Sequence, residues 1–390
     1  MMRKAISALG TSVYQETTYC WEGQCCTTPF MAEATVRLFQ PDQLLVLLTP
    51  AAAQKTYPAL QQRLAGVVPL QPLSIPDGHA EQELWQVFGV LAEAIEPGDQ
   101  LIFDITTGFR SLPMLALLAA NFVRTVRQAT VERMIYGAFE ARHAGQTPIF
   151  DLTPFLALLD WTTATDTLLR YGRADDLAEQ VRQTPASSQP FPPGQARQLA
   201  NQLAALTSAL QTVRPAEVME SAAQLERRLE ALEPHRVAEP QVAPFSLLLD
   251  RIATEYTPLA LDQPRSSHQG AAVLQRKLRM IRWYLDKAMP VQAMTLAREW
   301  LVSLVVVRRG QALFAYQART EAEQWLNDKP EAPVLDAVMP DRVVVRQIWK
   351  ETIQLRNDLA HTGMRRSAAR AATVIRNAEG IYVQLQGLAG

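Results

Sequence analysis

The sequence predicts an α/β domain with an open, mostly parallel sheet, followed by an all-α C-terminal domain. Three observations lead there. Short apolar strands alternate with helix-period segments over roughly the first 150 residues, the pattern of a sheet covered by helices. Asp151–Tyr171 begins a change of character, beyond which nearly every segment carries a helical period. Two proline-punctuated stretches, Thr184–Gly194 and Pro234–Pro244, then break the helical part into pieces. The expected division is an α/β domain over 1–171, a helical linker or insertion over 172–244, and a helical domain over 245–390.

Arg3–Leu9 reads as a short apolar strand ending in Gly10-Thr11-Ser12. Thr17–Trp21 and Gln24–Thr28 form a hairpin around Glu22-Gly23. Phe30–Phe39 is helical, and Gln43–Thr49 is a strand of the fully buried type. Ala80–Ile95 carries Leu84, Val87, Phe88, Leu91 and Ile95 at helical spacing. Pro97-Gly98-Asp99 turns the chain into strand Gln100–Ile105, and Thr106-Thr107-Gly108 leads toward helix Leu112–Gln128, with Pro113 tolerated in its first turn. Val131–Phe139 is a further strand. Ala196–Leu232 makes one or two helices split near Pro215. Phe245–Tyr256, Ala271–Asp286, Val291–Arg309, Ala312–Trp325, Val343–His361 and Ser367–Leu385 complete the helical domain.

The chain has 390 residues, is 48% hydrophobic and 20% charged, and so has room for two or three cores of soluble type. Its longest apolar runs, Leu112–Val123 and Trp300–Val307, fall short of the roughly 20 residues that span a bilayer, so no membrane partner is expected. No secretion signal opens the chain. Cys20, Cys25 and Cys26 are clustered. Adjacent cysteines rarely pair and no second cluster exists, so neither a disulfide framework nor a zinc site is indicated, and a reduced, cytoplasmic protein is expected.

Two places carry chemistry. In an open α/β sheet, ligands bind beyond the carboxyl ends of the strands. Gly10-Thr11-Ser12 and Thr106-Thr107-Gly108-Phe109-Arg110-Ser111 lie at such ends. Small hydroxyl residues and glycine let backbone N–H groups approach a phosphate, and Arg110 adds positive charge. Thr-Gly is equally ordinary strand-to-helix turn chemistry. Neither a dinucleotide fingerprint nor a P-loop is present, which disfavours those cofactors. The second place is Arg356-Asn357-Asp358-Leu359-Ala360-His361. A histidine moves protons near neutral pH, an arginine holds phosphate bidentately, and an asparagine orients either. On a helix Asn357 and His361 share a face, whereas Arg356 lies about 140° round from His361. By itself this spacing also suits a solvated helix end.

The net charge of −1 is unevenly spread. Arg276, Lys277, Arg279, Arg282, Lys287, Arg298, Arg308 and Arg309 form one basic stretch, and Arg342, Arg346, Lys350, Arg356, Arg365, Arg366 and Arg370 a second. Basic helices around a candidate Arg/His site suit a polyanion, although each arginine also suits a solvated face. Glu299 sits in an apolar helical stretch, where a carboxylate needs a partner. His79, His143 and His235 read as solvent-exposed, and His268 stands before a basic helix.

Leu9-Gly10-Thr11, Tyr14, Glu16-Thr17-Thr18-Tyr19 and Asp104-Ile105-Thr106-Thr107-Gly108-Phe109-Arg110-Ser111-Leu112-Pro113 together resemble the Rossmann-like CARF domain of CRISPR-associated proteins with a D-x-T-H-G signature. Arg356-Asn357-x-x-x-His361 resembles the catalytic motif of HEPN ribonucleases. The resemblance implies a sensor of cyclic oligoadenylate, most simply cyclic tetra-adenylate, joined to a metal-independent endoribonuclease that cuts single-stranded RNA in type III CRISPR defence. It implies ligand contacts from Gly10, Thr11, Ser12, Thr106, Thr107, Gly108, Arg110 and Ser111, and catalysis by Arg356, Asn357 and His361. A carboxylate on the preceding apolar helix lies near such motifs, which points to Glu299 as an orienting residue. No metal or cofactor is implied. HEPN sites of this kind are composite, so a homodimer is expected, with higher oligomers left open. Thr107 stands where the signature has histidine, which puts ligand cleavage by this domain in doubt. Two alternatives remain: a ligand-sensing regulator that binds nucleic acid without cutting it, and a ring nuclease that destroys the messenger.

Overall fold

The computed structural model describes residues 2–108, 111–183, 192–238, 243–329, 335, 337–364 and 368–389. Arg110, Arg365, Arg366 and most of Thr184–Gly194 lie outside the described residues. The chain divides into two compact units, Met1–Ala157 and Leu158–Gly390.

The first unit is built on one eight-stranded mixed sheet. Its strands are β1 (Arg3–Leu9), β2 (Thr17–Trp21), β3 (Gln24–Thr28), β4 (Gln43–Leu48), β5 (Leu70–Ser74), β6 (Gln100–Asp104), β7 (Thr130–Gly137) and β8 (Gln146–Asp151), in the spatial order β3-β2-β8-β7-β6-β1-β4-β5. The segment β5-β4-β1-β6-β7 is parallel, β8 runs antiparallel to β7, and the β2–β3 hairpin extends that side. From central β1 the chain builds outward to β4 and β5 on one side, then returns to β6 and β7 on the other. That reversal puts the topological switch at β1.

Successive residues of the central strands face opposite layers. Ala5, Leu44, Val46 and Ile102 pack against α1 (Met31–Phe39) and α3 (Tyr57–Leu64). Ile6, Leu45, Leu47, Leu101 and Phe103 pack against α4 (Glu81–Glu93) and α5 (Leu112–Val126). Burial on both faces is why these strands read as continuous apolar runs. The six-residue helix α2 (Pro50–Lys55) leads into α3. At the foot of the sheet, Lys4 and Asp99 form a buried ion pair at 2.6 Å. Burial works against the Asp99 charge, yet Lys4 and the N–H groups of Glu96 and Met2 hold its carboxyl below the usual range.

β5 and β8 escape a reading of apolar runs because Pro72 and Pro148 interrupt them. Pro72 is tolerated because β5 is an edge strand. The hairpin corrects the cysteine expectation. Its register places Cys20 opposite Cys25, and the two are bonded, leaving Cys26 as the free thiol.

The second unit is all helical. It takes up α6 (Thr153–Tyr171), within which the two units divide, and continues through α7 (Asp175–Gln183), α8 (Pro193–Gln211), α9 (Pro215–Ala238), α10 (Ala243–Tyr256), α11 (Gly270–Asp286), α12 (Pro290–Arg308), α13 (Tyr316–Leu326), α14 (Arg342–Ala360) and α15 (Ala371–Ala389). Pro215 opens α9, as the expected split requires, whereas Pro234 lies within that helix. One core runs from Leu168 and Leu199 through Met280 and Trp300 to Leu385, so residues from 172–244 and 245–390 share it. The Tyr256 hydroxyl donates to the Leu168 carbonyl at 3.1 Å, and the Tyr284 hydroxyl to that of Leu210 at 2.6 Å. A Cβ on Gly172 would come within 2.4 Å of the Trp283 ring, so the α6–α7 turn requires glycine. The helix α12 is long and apolar enough to cross a membrane by length and composition, but most of its apolar residues are buried in this core.

Candidate functional site

The carboxyl end of β1 delivers Gly10 at the switch, beside the loop that follows β6. Three groups meet there. The Gly10 N–H donates to the Tyr14 hydroxyl at 2.7 Å, and a Cβ at Gly10 would lie 3.6 Å from the Thr107 methyl and 3.7 Å from that hydroxyl. Thr56, at the junction of α2 and α3, donates its hydroxyl to the Gly10 carbonyl at 2.9 Å. The Gly10 peptide is therefore held from both sides. Thr11 and Ser12 are exposed, so their hydroxyls face solvent.

The neighbouring loop is shaped by Asp104. Its carboxylate accepts from the Thr106 N–H at 2.9 Å and is hydrogen-bonded to the Ser7 hydroxyl. The Gly137 N–H, at the end of β7, donates to Thr106 Oγ1 at 2.8 Å. Thr106 thereby locks β6 to β7, and Thr107 is left beside Gly10. Burial pushes the Asp104 carboxyl up, against the hydrogen bonds from Ser7 and Thr106. Burial also raises the Tyr14 phenol, with Gly10 and Thr107 pulling it back and Asp104 adding to the rise. Tyr19 is pushed up to about 12 by burial, then by Asp104 and Tyr14. Gly108 has φ +138°, and a Cβ there would meet Leu112 Cδ2 at 2.4 Å, so only glycine fits. Ser111 precedes α5 without capping it by its side chain. Gly10 and Thr107 are thus brought together. Ser7, Thr56 and Gly137 are partners the sequence reading missed, and only Ser7, a lone polar residue in a buried apolar strand, carried a signal.

In the helical unit, α14 buries Val345, Ile348, Trp349, Thr352 and Leu355 and leaves Arg356 and Asn357 half-buried along its flank. The Arg356 guanidinium donates to Asn357 Oδ1 at 3.1 Å. His361 ends the helix and is exposed. Thr362 (φ +54°) donates its N–H to Leu359 and Gly363 to Asp358, a Schellman ending that fixes where the histidine stands. Beside it, an open groove of about 650 Å³ between α14 and α15 is lined by Glu351, Gln354, Asp358, Arg376 and Asn377.

Glu299 and Arg356 each have their own recorded partners, Arg298 and Arg319 for the carboxylate and Asn357 for the guanidinium. The Arg298 guanidinium lies over the Trp349 ring, 5.5 Å from its centroid, which sets this part of α12 about seven residues, or roughly 10 Å, from Arg356 along α14. The basic stretches are also less available than their count suggests. Arg282 pairs with Glu379, Lys287 with Glu255, Arg308 with Asp341, Arg309 with Glu321 and Arg346 with Asp328. Lys277 is buried with its ammonium on the Ser303 hydroxyl at 2.8 Å, and burial, with Arg319, brings it down to about 8 against the pull of Glu299.

Comparison with known proteins adds to the middle of the chain. Residues 157–260 match the family model of CRISPR-associated protein MJ1674, second domain. A stretch of 101 residues is 27% identical to CRISPR-associated protein MJ1674 of Methanocaldococcus jannaschii, covering 25% of this chain and 16% of that protein. These similarities support kinship with a CRISPR-associated family.

Proposed function

We propose that this protein is a cyclic-oligoadenylate-activated, metal-independent endoribonuclease that cuts single-stranded RNA in type III CRISPR defence, in the cytoplasm. The observation that carries the reading is Arg356, Asn357 and His361 together at the C-terminal end of one helix, in a chain whose α/β sheet meets Gly10 and Thr107 at its switch. The kinship of residues 157–260 adds the CRISPR setting. In the reaction, the 2′-hydroxyl of the substrate gives up its proton to solvent as it attacks the adjacent phosphorus, and the bond to the 5′-oxygen breaks. Arg356 stabilises charge on the phosphoryl oxygens, and His361 gives a proton or hydrogen bond to the leaving oxygen. The products are a 2′,3′-cyclic phosphate and a 5′-hydroxyl.

The angular separation of Arg356 and His361 favours a composite site, one set from each chain of an isologous homodimer. The same two-fold axis suits cyclic tetra-adenylate, whose four phosphates have matching even symmetry, at one ring per dimer. Ligand binding then shifts the dimer toward the competent state by no more than its differential affinity for the two states. The test is to mix the full chain with labelled RNA or labelled cyclic tetra-adenylate, each in EDTA. Ring-dependent RNA cleavage is expected. Cleavage that requires added magnesium or manganese rejects the mechanism. Destruction of the ring with intact RNA favours a ring nuclease, and RNA binding without cutting favours a regulator.

A further inference from the structure

Tyr14 is the anchored side chain in an otherwise exposed stretch. Thr11, Ser12, Val13, Gln15 and Glu16 are all open to solvent, Val13 to 86%. The Tyr14 ring instead packs on Phe30, with centroids 4.9 Å apart, and its hydroxyl takes the Gly10 N–H at 2.7 Å beside the Thr107 side chain. That N–H is the backbone donor presented by β1 at the switch, held in direction by the Thr56 bond to the same residue's carbonyl. A phosphate oxygen that accepted from this N–H would need the place that the phenol oxygen occupies.

We infer that Tyr14 is an internal stand-in for the ligand, its hydroxyl occupying the Gly10 N–H until an anionic oxygen displaces it. The inference rests on the ligand site proposed above. A phenol is a weaker acceptor than a phosphate, because charged acceptors make hydrogen bonds roughly twice as strong. The contact therefore opposes loose occupation of the loop and yields to a ring that engages it fully.

The test is Tyr14→Phe in the full chain, titrated calorimetrically with cyclic tetra-adenylate beside the wild type. Phenylalanine keeps the ring on Phe30 and removes only the oxygen, and a melting curve confirms that the unit is folded. Releasing the Gly10 N–H before binding predicts about fivefold tighter association for the variant, and releasing Thr107, whose side chain also bonds that hydroxyl, adds to it. Amide exchange at Gly10 should also quicken in the ligand-free variant. Equal or weaker binding by Tyr14→Phe, with wild-type binding intact, overturns the stand-in and leaves the ligand site standing. Failure of both proteins to bind the ring overturns the site and the inference together.

Discussion

His361→Ala separates chemistry from folding because of where the histidine stands. Its side chain is exposed at the end of α14, and its backbone N–H bond to the Asn357 carbonyl, at 2.9 Å, survives the substitution. Stability should change by no more than about 0.5 kcal/mol, the usual range for a surface position. For a unit of this size that is roughly 1–2 °C in melting temperature. Arg356→Ala loses one hydrogen bond to its neighbour and should cost about 1 kcal/mol at most. Cleavage should behave differently. A group that moves a proton in the transition state contributes about 10²–10⁴-fold, and His361→Ala should lose that factor. The assay is a fluorogenic single-stranded RNA cut in EDTA at saturating cyclic tetra-adenylate, with ring affinity measured in parallel. Mixed dimers of the two variants, if the site is composite, retain one arginine and one histidine and should recover part of the rate. A His361→Ala protein that cuts at the wild-type rate refutes the assignment, and loss of the folded state in both variants would make these residues structural.

Two further substitutions test the sensor and its footing. Gly108→Ala forces a side chain into a positive-φ position against Leu112, so it should destabilise the first unit by about 1–3 kcal/mol and weaken ring binding, checked by urea unfolding and calorimetry. Unchanged stability and affinity would remove Gly108 from the loop's design. Asp99→Asn leaves Lys4 buried without its counter-charge and should cost about 3–5 kcal/mol. Because the Asp99 pKa is lowered in the folded state, its contribution is present above the unfolded value and fades as pH falls below about 4. Wild-type unfolding should therefore steepen with acid there more than unfolding of the variant, and parallel pH profiles would contradict the pairing.

Much of the fold is local and was legible as such. The β1 bounds follow from its short apolar run, those of β2 and β3 from the Glu22-Gly23 turn between them, and most helices of the second unit from their 3.6-residue period. The same hairpin reading already contained the disulfide, since pairing Trp21 with Gln24 necessarily sets Cys20 against Cys25. Counting adjacent cysteines concealed it. The candidate residues were likewise visible as types in a spacing: Gly10, Thr106–Gly108, and Arg356 with Asn357 and His361.

What the sequence by itself determined, then, is which segments are strands and helices and which residues carry usable chemistry, because propensity, periodicity and side-chain chemistry act over a few residues. Tertiary structure decided everything that depends on distant neighbours. Residues 97 positions apart bring Asp104 to Ser7, and the strand order puts Thr107 beside Gly10 and Tyr14. Ion pairing across helices neutralises much of the basic stretch and commits Glu299 to Arg298 and Arg319. The proline of β5 is tolerable because that strand lies at the edge of the sheet. Burial and partner choice are long-range free energies, set by how whole layers pack, and no window of local sequence contains them.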